Sequence, residues 1–460
     1  MITVYTAKNI LTMNPSWPTA TAIAVKDGRI VEVGSLASLQ PWLEQHPHRI
    51  DAQFEDSVIM PGLIDPHLHP VMAAVLLPMQ FITAMEWHLP WETVPATVSP
   101  QAYESILRKA AAEDDSTPYF TWGYHKIWHG EMSRGLLDEI FGSRPAVVWQ
   151  RSFHEVYLNS AMMALLEIDI EAIRGRHQID VDRGHFYEVG LSYVINKLNR
   201  IIMAPAWILA GLARLKQLVQ FGGHTTVGDM AVGIFDFEME WRLCQQVFEQ
   251  PDNPFRVVSV AHANGSGVRQ DDLATTVEFV RNLPERNTAH FEFGQRIKLF
   301  TDGAFFSQLA MMQSPGYIDG HLGEWLMPPE KFETIARAYW HAGFKIHVHC
   351  TGDLGCELAL DVLEKLQWER PRFNHGYTIE HFGFSTPEQV DRIKLLGGSV
   401  SANVYYLREL SGAYSQVGIG VERASQMARL QSCVGQNILT LYSLQTESRL
   451  MRFQEISLLK

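Results

Sequence analysis

Two histidines, His67 and His69, stand one residue apart in the run Val58-Ile59-Met60-Pro61-Gly62-Leu63-Ile64-Asp65-Pro66-His67-Leu68-His69-Pro70. In an extended strand alternate side chains share a face, so such a pair lies about 6.6 Å apart and can close on one metal ion through Zn–N bonds of about 2.0–2.1 Å. Two surface histidines in a loop have the same spacing, and spacing alone leaves both readings open. The apolar lead-in and the flanking prolines argue for a strand end, where barrel enzymes build their sites.

Other stretches carry chemistry of the same kind. In Arg296-Ile297-Lys298-Leu299-Phe300-Thr301-Asp302-Gly303, Lys298 and Asp302 share a face of an apolar run. A lysine inside a buried strand is costly unless paired or modified. It is either salt-bridged to Asp302 or carboxylated by CO2 into an anionic oxygen ligand. Lys345-Ile346-His347-Val348-His349-Cys350 places two more histidines on one face, ahead of a Thr351-Gly352-Asp353 turn that opens a helix. That puts His349 at the rim as a ligand, and His347 one layer deeper as a packed or supporting residue. Tyr377-Thr378-Ile379-Glu380-His381 ends a further strand in a histidine. A fourth histidine in a strand-end series points to a metal.

The elements that must position these residues follow from patterning. Residues 1–57 read as a small β-rich unit, with strands Ile2–Tyr5, Thr21–Val25 and Ile30–Val33, a hairpin turn at Lys26–Arg29, and a helix Leu36–Glu44. Residues 71–220 read as a long insertion with helices Gln101–Ala112 and Pro205–Gln220 and frequent tryptophans, which form either a substrate wall or plain core. From Gly222 onward strands and helices alternate. The strands are His224–Met230, Phe255–Ala261, Arg296–Asp302, Lys345–Cys350, Tyr377–Phe382, Ser399–Val404 and Ile438–Ser443. The helices between them are Asp236–Glu249, Leu273–Asn282, Pro329–Ala342, Cys356–Gln367, Pro387–Leu396 and Val421–Gln431. With the Val58 strand this makes eight strands, the pattern of an α/β, (β/α)8 TIM-type barrel over residues 58–443.

Composition narrows the partners. A net charge of -13 argues against direct contact with nucleic acid or an anionic membrane. Four cysteines without a CxxC pair suit a reducing compartment. The longest apolar run, Ile201 to Ala213, is 13 residues, short of the roughly 20 a membrane helix needs. With no basic flank and apolar core at the N-terminus, the sequence reads as a soluble, cytoplasmic protein acting on a small molecule. Oligomeric state is not legible.

The ordered series of motifs resembles the amidohydrolase superfamily, in the branch that holds N-substituted formamide deformylases and exoenzyme regulatory protein-like members. The matching stretches are Met60 to His69, Trp122 to Asp138, Arg151 to His154 with Asn159-Ser160, Thr225 to Asp229, Lys298 to Gly303, His349 to Asp353, and Ile379 to His381. The resemblance implies a barrel with one or two divalent ions, usually zinc, held by His67, His69, Lys298, His349 and His381, with Lys298 often carboxylated. It further implies metal-activated water as nucleophile on an amide-type C–N bond, and His154 and Asn159 as substrate contacts.

One part of the family pattern is missing. Members carry an aspartate just after the eighth strand, which binds metal and takes the proton from water. Here Ser443 is followed by Leu444, and the nearest carboxylate is Glu447. Residues 444–460 resemble none of the family's C-terminal region and read as an atypical tail, an amphipathic helix burying Leu444, Leu450, Met451 and Leu458. A truncated chain or a shifted reading frame would give such an ending, and would leave the N-terminal strands with unpaired edges. Two functions follow: a metal-dependent amidohydrolase with activity impaired by the lost base, or a non-catalytic regulatory protein on a degenerate barrel, acting indirectly on extracellular enzyme production.

Overall fold

Asp27 and Gly28 sit at φ of 50° and 74°, the left-handed pair that a two-residue type I′ hairpin requires. The turn joins strands Thr19–Lys26 and Arg29–Gly34, with Lys26 opposite Arg29. Strand Ile2–Leu11 pairs antiparallel with Thr19–Lys26 and parallel with His48–Ile59, completing a four-stranded sheet. Helix Leu36–Leu43, capped reciprocally by Ser35 and Ser38, buries Leu39 and Leu43 with Ile2, Val4, Ala22 and Ala24 of the sheet. The structure, a computed structural model, describes residues 1–113, 117–265 and 267–443, the side chains of 442 and 443 excepted. The expected tail 444–460, with Glu447, lies outside the described residues.

This sheet corrects one sequence expectation. Val58 and Ile59 pair with Asn9 and Ile10 in the N-terminal sheet and do not begin the barrel. Pro61 has no N–H to continue a ladder, so the chain breaks there and a new strand starts at Leu63. The first unit accordingly runs from Met1 to Leu63 instead of ending at 57.

The second unit is built on eight strands, numbered here β1 (Leu63–Leu68), β2 (His224–Val232), β3 (Arg256–His262), β4 (Phe291–Phe300), β5 (Lys345–Cys350), β6 (Thr378–His381), β7 (Ser399–Asn403) and β8 (Thr440–Ser443). They lie side by side in chain order as a nearly closed parallel barrel. Helices Phe237–Phe248, Leu273–Asn282, Pro329–His341, Asp353–Glu369 and Pro387–Leu395 alternate with the strands. Ile297, Leu299, Ile346, Val348, Ile379 and Val400 are buried in one core with Phe332, Ile335, Leu360 and Leu363 of the helices. The expected helix Val421–Gln431 is two pieces, Val421–Ala424 and Leu430–Gly435. Between them Ala428, at φ 54°, donates its N–H to the Gly383 carbonyl.

The insertion between β1 and β2 contains the two expected helices, observed as Pro100–Ala111 and Pro205–Phe221. It also contains a six-stranded sheet that the sequence reading missed, with Tyr119–Tyr124, Ala146–Gln150 and Glu155–Leu158 among its strands. Every residue of those three strands is buried, so no polar–apolar alternation marks them. Helix Pro205–Phe221 crosses the short helix Pro70–Leu76 so closely that a Cβ on Gly211 would lie 1.9 Å from the Ala74 carbonyl oxygen. Gly211→Val is therefore expected to destabilise the protein by about 1–3 kcal/mol, the usual cost of forced overpacking. It should also loosen His69, which caps the Pro70 helix. A thermal melt checks this, and an unchanged midpoint would show that the crossing can relax.

Candidate metal centre

Three barrel strands deliver histidines to one end of the second unit. His67 is the penultimate residue of β1, His69 follows as the N-cap of helix Pro70–Leu76, His349 is the penultimate residue of β5, and His381 ends β6. Ladder register sets their depth: Phe300, His349 and Glu380 lie level across β4, β5 and β6, with Lys298 level with His347 one step below. Ring centroids are 5.2 Å apart for His67 and His69, 4.5 Å for His67 and His381, and 4.4 Å for His349 and His381. Lys298 is fully buried in the layer beneath. Because β1 stops at Leu68, His67 and His69 do not share a strand face as the sequence suggested, and the turn into the helix brings their rings edge to face.

Glu380, whose role the sequence did not reveal, binds two histidines at once. Its Oε2 lies 2.6 Å from His67 Nδ1 and its Oε1 lies 2.7 Å from His347 Nδ1. Burial would raise its pKa, but His67, His347 and Lys298 together hold it well below the ordinary carboxylate range. A carboxylate on Nδ1 fixes the tautomer and presents Nε2 on the far side of the ring, the usual arrangement behind a metal-ligating histidine. Burial lowers His67 to about 4 and takes His69, His349 and His381 well below their ordinary value. The rings are thus neutral, the state that ligates. Glu380→Gln is expected to cost about 10–100-fold in metal affinity or activity, as support residues of metal-binding histidines do. Metal titration of the variant checks this, and wild-type affinity would reduce Glu380 to a packing role.

Lys298 is not salt-bridged to Asp302. Asp302 instead accepts backbone N–H bonds from Met311, Thr351 and Gly352 at 2.9, 3.0 and 2.8 Å, and a hydroxyl bond from Thr301 at 2.8 Å. It ties the loop after β4 to the turn after β5, an approach close enough to require Gly352: a Cβ there would lie 2.1 Å from the Met311 carbonyl oxygen. Lys298 Nζ lies 5.6 Å from the Phe300 ring centroid and has no hydrogen-bond partner among the described residues. Burial brings its pKa down to about 8, opposed by Glu380.

The insertion contributes His154, 5.7 Å ring to ring from His349. Its Nδ1 lies 2.8 Å from Glu188 Oε2, and the Glu188 Oε1 accepts the Ala304 N–H at 3.1 Å. Burial alone would depress His154, but Glu188, aided by the Glu155 and Asp302 charges, offsets it and the pKa is raised. No local signal marks Glu188 in the sequence, because its partner stands 34 residues away. Asn159 is not brought to this site. Its Oδ1 accepts from Met162 and Ala146, and its Nδ2 donates to the Arg144 carbonyl, so it caps a helix and does not line the cavity at the histidines. Phe153, Glu188, His381 and Phe382 have positive φ despite bearing side chains, and strain of this kind is kept where a site needs it.

His67, His69, His154, His349 and His381 close one end of a cavity of about 150 Å³. Its other walls are apolar: Met72, Leu76 and Leu77, with Phe81, Trp87, Trp122, Phe153 and Phe306. Phe81, Trp87 and Trp122 pack on each other with centroids 5.0–5.3 Å apart, so the aromatic insertion is both wall and core.

The residues fit a divalent ion by identity and burial. His69 Nδ1, His349 Nε2 and Lys298 Nζ are buried with no hydrogen-bond partner among the described residues. As the rings stand, no three His, Cys, Asp or Glu side chains among the described residues converge on a common point. The imidazoles pack edge-on or tilted against one another, and coordination would require them to turn about χ2, a soft torsion.

The chain is similar to known proteins along most of its length. It is 24% identical to the exoenzymes regulatory protein AepA of Pectobacterium carotovorum subsp. carotovorum over 78% of this chain and 76% of that one. It is 22% identical to the protein LONG AFTER FAR-RED 3 of Arabidopsis thaliana, over 94% of this chain and 72% of the relative. The fold matches the crystal structure of an uncharacterized metal-dependent hydrolase from Pyrococcus horikoshii, with a TM-score of 0.69 and 18% identity over 97% of this chain and 83% of that one. The profile of the amidohydrolase family covers residues 50–440, from the last N-terminal strand to the start of β8, and the chain belongs to that family.

Proposed function

We propose that the chain hydrolyses an amide-type C–N bond in a small molecule, with one or two divalent ions, zinc the expected metal, held by His67, His69, Lys298, His349 and His381. The gathering of the four histidines at the polar end of an otherwise apolar cavity, with Lys298 fully buried in the layer beneath, carries the reading. An ion bound there would lower the pKa of water from 15.7 to about 7 and polarise a carbonyl.

The chain's own residues supply the rest. Trp87, Trp122 and Phe153 exclude water and hold the apolar part of an acyl or N-alkyl group. Glu380 orients His67. A lysine brought near 8 has a neutral fraction at pH 7, and the neutral amine is the form that combines with CO2. The nitrogen lone pair forms the N–C bond, one proton leaves, and Lys298 becomes an anionic oxygen donor. His154, with Nδ1 held by Glu188, keeps its other ring nitrogen to take and return a proton at the scissile bond. It does so in place of the aspartate that the family carries after β8, where this chain has Leu444.

Protein loaded with zinc is expected to release free amine from N-formyl or N-acyl amines. No amine from any of them at full metal occupancy would overturn the reading. The second reading, a regulatory protein without turnover, is favoured by Leu444 and by the similarity to AepA. The net charge of -13 argues that any such regulation does not pass through direct nucleic-acid binding.

A further inference from the structure

His262 ends β3 and takes no part in the chemistry proposed above. Ladder register places it directly beside Lys298, and Lys298 directly beside His347. In-register residues of neighbouring strands project from the same face about 4.7–4.9 Å apart. His262, Lys298 and His347 therefore form one layer of the barrel, beneath the level of Phe300, His349 and Glu380. The end of β3 is held there. Ala263 donates its N–H to the Lys298 carbonyl at 2.9 Å, and the Ala263 carbonyl accepts the Tyr339 hydroxyl at 2.8 Å. The His262 ring stacks on Phe300 with centroids 5.0 Å apart, and Lys298 Nζ lies 5.6 Å from the same Phe300 centroid.

Hydrogen-bond direction separates the two histidines that flank the lysine. His347 gives its Nδ1 to Glu380 at 2.7 Å, so the neutral ring has a bare Nε2 that only accepts. In His262 the tautomer is reversed: Nδ1 accepts the Asn264 N–H at 3.3 Å, and the proton sits on Nε2. Burial and then the Lys298 charge bring His262 down to about 4, so its ring is neutral. The layer thus sets an N–H donor beside a fully buried amine with no hydrogen-bond partner among the described residues. An ammonium at Lys298 opposes donor to donor. A carbamate there adds two anionic oxygens, and these are acceptors.

We propose that the His262 Nε2–H is the hydrogen-bond donor that stabilises a carbamate on Lys298, which makes His262 a positioning residue of the metal centre. The Lys298 lone pair forms the N–C bond to dissolved CO2, one C=O electron pair moves to oxygen, and the proton lost from nitrogen goes to water. This rests on the carboxylation of Lys298 proposed above and is independent of which bond is hydrolysed. Carbon-13 NMR of zinc-loaded protein equilibrated with 13C-bicarbonate reads the carbamate carbon, with Lys298→Ala as the blank. The wild type is expected to give a signal that saturates with bicarbonate. His262→Phe keeps a ring against Phe300 but has no N–H. At equal zinc content it should need about tenfold or more bicarbonate for the same signal, the loss of one charge-assisted hydrogen bond. His262→Gln, whose amide nitrogen reaches as far as Nε2, should recover most of the signal, which a packing role would not produce. If His262→Phe proves unfolded by circular dichroism, His262→Leu decides in its place. Equal signals in wild type and His262→Phe, or no recovery in His262→Gln, would overturn the proposal and leave the carboxylation of Lys298 standing. No carbamate signal in the wild type would overturn both. A signal that depends on His262, in protein that releases no amine, would support the proposal and remove the amide reading alone.

Discussion

Replacing His154 by alanine is expected to lower kcat by about 10²–10⁴-fold, the usual contribution of a positioned acid–base group, without lowering metal content. The geometry sets this apart from a packing effect. His154 lies 5.7 Å ring to ring from His349 at the cavity wall, and Glu188 fixes its Nδ1. Glu188→Gln keeps the hydrogen bond but removes the charge that raises the imidazole pKa. A base acts in its deprotonated form, so activity rises with pH through the His154 pKa. Removing the Glu188 charge lowers that pKa, and the acid limb of kcat should move to lower pH. A profile that does not move in Glu188→Gln, with near-normal kcat in His154→Ala, would leave the pair a structural role.

Leu444→Asp is the converse experiment. The resemblance to the family implies an aspartate directly after the eighth strand, and here the residue following Ser443 is leucine. Restoring the carboxylate is expected to raise turnover, by up to about 10²–10⁴-fold where no other base operates. If His154 already moves the proton, the gain should be small in the wild-type background and large in His154→Ala. Groups that share one task are non-additive in this way, and a double-mutant cycle measures the coupling. Equal gains in both backgrounds would mean that His154 and the restored aspartate act independently. A large gain in the wild-type background would favour the regulatory reading, with catalysis lost along with the aspartate.

Much of the barrel was legible because its signals are local. Lys345–Cys350 and Leu273–Asn282 have the predicted bounds, the first an apolar strand with two spaced histidines and the second a helix opened by Asp272 as N-cap. The first barrel strand was misplaced because Val58-Ile59 and Leu63-Ile64 are equally apolar, and only pairing with Asn9 and Ile10 assigns the former to the N-terminal sheet. His67, His349 and His381 stand at the strand ends where the sequence placed them, with His69 one residue past the first strand and Lys298 inside β4. What surrounds them was not legible, because it depends on long-range contacts. Glu380 reaches His67 across 313 residues of sequence, and Asp302 reaches Thr351 across 49. Asn159 shows the opposite failure: a motif residue expected to touch substrate instead caps a helix and bridges two backbone segments.

The central claim is that His67, His69, Lys298, His349 and His381 form a metal centre, and elemental analysis of protein purified without chelators tests it most directly. One or two equivalents of a divalent metal per chain are expected, falling to background when His67 and His349 are both replaced by alanine. Protein that carries no metal and takes up none on dialysis against zinc, or a double variant that retains the full complement, would contradict the account.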